Sequence, residues 1–249
     1  MADLNPSPGK PGAWVAGLAW PDVESRIASG AAAILPVGAA CKEHGPHLPL
    51  NTDQVQAEWL VEQIVARRNV LAWPTVTYGY YPAFVDYPGS CSLSKKTFAS
   101  AAGDILQGIL GTGARRVLVV NTGISTIAPL QQVISLLEDN DRVTLVNVYA
   151  GPRFRQAQAD IEEQAVGRHA DEIETSIMLV IAPHVVDRAR ATRWLDYAGS
   201  GPLSRADPAA RNYSPSGVIG DATLASREKG ARLVQAILDD LDEFFKSPS

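Results

Sequence analysis

Cysteine is nearly absent: the 249 residues hold two, Cys41 and Cys91. Two thiols cannot build the disulfide framework of a small secreted domain, so a reduced, cytoplasmic setting is expected. Cationic side chains are in deficit, and the formal net charge of -5 lacks the basic footprint that nucleic acid requires. No apolar run reaches the roughly 20 residues of a membrane-spanning helix. The N-terminus lacks the basic-then-apolar order of a signal peptide. Neither nucleic acid nor a membrane is therefore expected as a partner. Histidine is scarce as well, at four residues, so two of them falling in one loop carries information. Apolar residues are plentiful: 46% hydrophobic against 20% charged is an ordinary soluble balance, in a chain long enough to bury a large core.

Residues 1–12, rich in Pro and Gly, read as a flexible arm, and 13–249 as a single domain. The runs 31–37, 116–120 and 143–149 are apolar and rich in β-branched residues, as buried strands are. The run 70–77 reads as another strand, and Pro74 suggests an edge or a bulge. Amphipathic helical stripes lie between and beyond them, over 53–67, 94–110, 127–137, 174–181 and 228–245. Residues 196–222, rich in Gly, Pro, Ser and Asp, read as a long loop. Strands alternating with helices predict an α/β fold with a mainly parallel sheet covered on both faces. Such folds bind ligands beyond the carboxyl ends of the strands.

That rule draws attention to the segment after the first buried strand, Lys42-Glu43-His44-Gly45-Pro46-His47, followed by Asp53. Imidazole and carboxylate are ligands that a zinc-like divalent ion prefers. Gly45, Pro46 and Pro49 would hold the loop in one non-helical shape. Each residue also has a plainer reading. Thr52 or Asp53 would cap the following helix, His47 would satisfy buried carbonyls, and His44 would be a core histidine. Cys41 just before the cluster invites a nucleophilic role, but no helix N-terminus to activate the thiol is evident there. The second cluster is His169-Ala170-Asp171-Glu172-Ile173-Glu174. Three acids in four residues repel one another unless a cation or a helix dipole is near. His184 stands alone and reads as a loop residue.

At these clusters the chain resembles the creatininase family. Residues 36–53 are similar to a family pattern that is roughly P-x-G-S-x-E-Q-H-G-P-H-L-P-L-x-T-D, and 169–176 to H-A-G-x-x-E-T-S. Tyr87-Pro88-Gly89-Ser90 is similar to F-P-G-T, and residues 217–223 to the closing G-x-x-G-D-P-x. The resemblance spans residues 14–240 in family order. It implies a three-layer α/β/α sandwich, usually a homo-oligomer and often a hexamer. It also implies hydrolysis of a small polar molecule by metal-activated water, at a cyclic amide or carboxamide C–N bond. Ring opening of a cyclic carbonyl or sugar-like compound is the alternative reaction, and a metal-free binding scaffold the alternative to an enzyme.

The departures from the pattern matter most. Family members typically bind two ions. Lys42 stands where the family has the Glu of E-Q-H-G, and Gly123 where N-G-H-G-G-N has its His. The resemblance thus implies a single-metal variant, with one zinc (manganese or iron being the alternatives) held by His44, Asp53 and Glu174. Lys42 would occupy or border the vacated position and stabilise an oxyanion. His169 would assist proton transfer, its pKa raised by Asp171 or Glu172. Glu43 is a lesser candidate for general base. His47, Tyr80, Tyr81, Ser125 and Glu172 are expected to touch substrate, with Phe84 as a further wall. Creatinine itself is not the expected substrate.

Overall fold

The computed structural model describes residues 11–196 and 201–246. All but the last two residues of the expected N-terminal arm lie outside these, as do residues 197–200 of the expected loop. Five strands form an all-parallel sheet: β1 (Ala13–Trp14), β2 (Ala32–Val37), β3 (Val70–Ala72), β4 (Val117–Asn121) and β5 (Val143–Asn147), in the order β1-β3-β2-β4-β5. Val37 pairs with Asn121, and Asn121 with Asn147. The carboxyl ends of β2, β4 and β5 are therefore level.

Among the described residues seven α-helices flank the sheet: α1 (Trp20–Ala28), α2 (Thr52–Val65), α3 (Lys95–Gly111), α4 (Ile127–Ser135), α5 (Pro152–Ile161), α6 (Glu172–Ile181) and α7 (Arg227–Asp242). The period-2 alternation of β2 and β4 divides the core. Ile34, Leu118 and Val120 pack with Leu60, Phe154, Ile177 and Leu233 of α2, α5, α6 and α7. Ala33, Leu35, Val117 and Val119 pack with Phe98, Leu106 and Leu130 of α3 and α4. The result is the expected three-layer α/β/α sandwich. Each fully buried Leu, Ile, Val or Phe contributes about 1.5–3 kcal/mol relative to exposure. The central strands are thus a firm base for the loops above them.

Three expectations change. β3 is interior rather than at an edge, between β1 and β2; it breaks after Ala72 around Pro74, and pairing with β2 resumes at Val76, as a bulge does. β1, α1 and α5 join the elements read from periodicity; a strand of two residues is too short to show a period. Within the expected loop 196–222, β7 (Gly220–Asp221) pairs antiparallel with β6 (Arg193–Trp194). No helix among the described residues is long and apolar enough to cross a membrane.

Candidate active site

The loop 38–51 leaves β2 and returns into α2, which places Asp53 in the first turn of that helix. Asp53 does not cap it: its buried carboxylate has Oδ2 2.7 Å from Lys42 Nζ and Oδ1 3.1 Å from His44 Nε2. Thr52 does not cap it either, its hydroxyl donating to the Pro49 carbonyl at 2.7 Å. Burial opposes the charges on Asp53 and Lys42, but each outweighs it for the other. The Asp53 carboxyl lies well below the usual range, with His44 assisting, and the Lys42 amine lies above its ordinary value. Lys42 Nζ also stands 5.1 Å from the Phe84 ring centroid and 6.0 Å from that of Tyr81.

His44 Nδ1 lies 2.8 Å from the Lys42 carbonyl oxygen, an acceptor, so this nitrogen carries the proton. Nε2 then faces Asp53 Oδ1 at 3.1 Å and Glu174 Oε1 at 3.9 Å. A nitrogen lone pair set against two carboxylates requires a cation, either a second proton or a metal ion. His169 repeats the arrangement. Its Nε2 is 2.8 Å from the Glu43 carbonyl oxygen and 3.1 Å from Glu43 Oε2, while Nδ1 is 3.5 Å from Glu174 Oε2. A histidine that gives one ring N–H to a carboxylate and offers the other nitrogen is the usual state of a metal-binding imidazole. Ligand atoms of His44, His169 and Glu174 all lie within 4.8 Å of one another.

The structure thus brings Lys42, Glu43, His44, Asp53, His169 and Glu174 together, with a changed division of roles. The carboxylates that raise the His169 pKa against the opposing effect of burial are Glu43 and Glu174, not the expected Asp171 or Glu172. Asp171 instead accepts from Ile173 N and Glu174 N and caps α6. Burial and Glu174 raise its pKa to about 6. Glu172 does not face the site: its fully buried carboxylate accepts from Glu163 N, Gln164 N and Lys229 Nζ. Burial drives His47 down to about 4, so it is neutral, and its Nε2 lies 2.8 Å from Thr175 Oγ1. It ties the loop to α6. Tyr80 packs on the α3 and α4 side of the sheet. Ser125 is half-buried in the turn before α4.

Glu43 is fixed on three sides. It accepts from His169 and from Gly45 N, and it packs on Gly217. Burial opposes its charge, but His169 outweighs this and holds the carboxyl below its ordinary value. Gly217 has φ +83, and a Cβ there would stand 2.0 Å from Glu43 Oε1. Gly217→Ala is therefore expected to displace Glu43 and to lower turnover about 10–100-fold, the usual cost of losing an outer-shell partner. Unchanged kinetics would show that Glu43 does not orient His169. The half-buried Cys41 has no hydrogen bond to its sulfur among the described residues. Cys41→Ser should keep most of the activity, and a several-hundredfold loss in a steady-state assay would make it a nucleophile.

Two further residues reach the site. Tyr149 Oη lies 2.5 Å from Gln56 Oε1 and 3.5 Å from Glu174 Oε1. Tyr149 falls in the run 143–149, of which only 143–147 is strand. Gln56 is fully buried on the face of α2 that carries Asp53, which its i, i+3 spacing from Asp53 would have indicated. A pocket of about 180 Å³ opens onto Glu174, walled by Ile124, Tyr149, Phe154, Gln158 and Arg168. Of the clustered side chains only Glu174 lines it; Lys42, His44, Asp53 and His169 do not, nor do Tyr80 and Tyr81.

A parallel α/β sandwich with histidines and carboxylates converging at the strand ends has the architecture of a metal-dependent hydrolase. The family profile described as Creatininase: Creatinine amidohydrolase matches residues 16–245, and the chain belongs to this family of amidohydrolases. The creatinine amidohydrolase of Pseudomonas putida is 28% identical over 93% of this chain and 97% of its own. The 3-dehydro-scyllo-inosose hydrolase of Thermotoga maritima is 25% identical over 86% and 76%. A solved manganese creatininase superposes with a TM-score of 0.73 at 26% identity, covering 95% of this chain and all of its own. A zinc–zinc type mutant creatininase gives 0.72 at 26%, covering 94% and 98%. The chain is an enzyme, a hydrolase of the creatininase type.

Proposed function

We propose that the protein hydrolyses a C–N bond in a small polar molecule, a cyclic amide or a carboxamide, with one divalent ion per chain. The observation that carries this reading is His44 Nε2 facing two carboxylate oxygens while Nδ1 is committed to the Lys42 carbonyl. The donor set suits zinc, with manganese and iron as alternatives. His44, His169 and Glu174 would hold the ion. Asp53, expected as a ligand, is neutralised by Lys42 at 2.7 Å and is the weaker donor. Such an ion supplies Lewis acidity toward a carbonyl oxygen and makes water a competent nucleophile near neutral pH.

The chain's own groups do the rest. Glu43 holds the proton on His169 Nε2 and so keeps Nδ1 free. Lys42 Nζ pairs with Asp53 and has no other hydrogen bond among the described residues, so N–H donors remain for an oxygen that gains charge as water adds. Tyr81, its hydroxyl buried and without a hydrogen-bond partner, lies over the same space. The 180 Å³ pocket suits a single small molecule, since a 150 Å³ cavity can hold benzene. The Thermotoga relative favours ring opening of a sugar-like carbonyl compound as the second reading. A cytoplasmic homo-oligomer, a hexamer by resemblance, is the expected form.

Elemental analysis of the purified protein, with assays before and after chelation, tests the reading. The expected result is one ion per chain and activity that chelation abolishes. A metal-free active enzyme would sink it, and an inert metal-free protein would make the chain a scaffold. Ammonia or amine among the products separates C–N hydrolysis from ring opening elsewhere.

A further inference from the structure

Glu174 Oε2 accepts from Ala170 N at 2.6 Å, an arrangement made by the left-handed backbone at Ala170, φ +48. One carboxylate oxygen is thus fixed from the main chain. The other, Oε1, lies beside Tyr149 Oη at 3.5 Å, and Tyr149 Oη lies 2.5 Å from the Gln56 amide. Gln56 is fully buried, and its Nε2 has no hydrogen-bond partner. An amide nitrogen and oxygen are assigned from their surroundings, and here the surroundings favour the turned amide. Nε2 then donates to Tyr149 Oη, and the phenol O–H is free to point to Glu174 Oε1, 3.5 Å away. A neutral acceptor is exchanged for a charged one, at the longer of the two distances. A buried NH₂ no longer goes without any acceptor.

We propose that Gln56 and Tyr149 form a donor relay that positions Glu174, turning Oε1 toward His44 and leaving Oε2 between Ala170 N and His169. They are positioning residues: neither is placed to ligate the ion, and both act through Glu174. The relay joins α2, which carries Asp53, to the segment after β5 and to α6. The three walls of the site are thereby set in register. It rests on the reading above, in which Glu174 is a ligand.

The test is the zinc dissociation constant, measured by competition with a chromophoric chelator on the full chain, for the parent, Tyr149→Phe, Gln56→Met and the double variant. Each single variant is expected to bind zinc about 10–100-fold more weakly at unchanged stoichiometry, in the range of outer-shell losses. The double variant should match the weaker single one, because a relay is broken only once. The metal-free melting temperature, recorded alongside, separates loss of packing from loss of positioning. Single variants that bind zinc within twofold of the parent overturn the relay, as do single effects that multiply independently in the double. A parent that binds no zinc overturns the metal reading itself, and so is told apart from a parent that binds zinc with unmoved variants.

Discussion

His44→Ala is expected to remove the bound ion and the activity together while the protein stays folded. His44 holds the centre of the cluster, with Nε2 between Asp53 and Glu174, and it is fully shielded from solvent. With His44 a ligand as proposed, its loss should weaken ion binding beyond the about 10–100-fold typical of an outer-shell partner, and turnover at least as much. The fold should survive because Lys42 remains on Asp53, so no buried carboxylate is left alone. Metal content per chain, turnover and far-ultraviolet circular dichroism, taken on one preparation, decide the matter. An active variant with a full complement of metal would remove His44 from the chemistry.

The fold was legible where the sequence was periodic. The alternating faces of β2 and β4 and the stripes of α2, α3 and α7 follow from side-chain spacing alone, and their ends fall within a few residues of the expectation. Short elements were not legible: β1, β6 and β7 hold two residues each, too few to show a period. At the site, the residues that converge were recognisable by type, because His, Glu, Asp and Lys crowded into two short segments are uncommon. Their division of work was not. Asp53 would serve equally as a helix cap, and only the approach of Lys42 from the preceding loop shows what it does. Glu172 and Glu174 are two residues apart on one helix and face different partners, Lys229 and His169. A helix turns by 100° per residue, so neighbours in a charged run need not share a site. Tyr149 enters the site through tertiary folding alone, which spacing within its own segment cannot reveal.

The pairing of Lys42 with Asp53 sets the largest further effects. Lys42→Met leaves a buried carboxylate without its cation, at an expected cost of about 3–5 kcal/mol in stability. The single ion should remain, since His44, His169 and Glu174 are untouched, but turnover should fall because the donor for the oxyanion is lost. Adding Asp53→Asn should recover much of the stability and none of the turnover. The ammonium also bears on how many ions the site accepts. A pair of unit positive charges 4 Å apart repels by about 4 kcal/mol at an effective dielectric near 20, and a dication doubles this. Lys42 therefore opposes a second ion of the kind that the zinc–zinc type relative carries. Lys42→Glu alone should not admit one, because Gly123 supplies no ligand. Lys42→Glu with Gly123→His should raise the content toward two ions per chain, provided the new side chain has room. A Cβ at Gly123 would lie 2.7 Å from Thr126 Oγ1, so Thr126→Ala belongs in the same variant. Turnover, metal content and melting temperature of Lys42→Met beside the parent give the first answer. Parental values of all three would make Lys42 a surface-like charge with no part in the chemistry, and a second ion bound by Lys42→Glu alone would show that its charge, rather than the missing histidine, had kept that ion out.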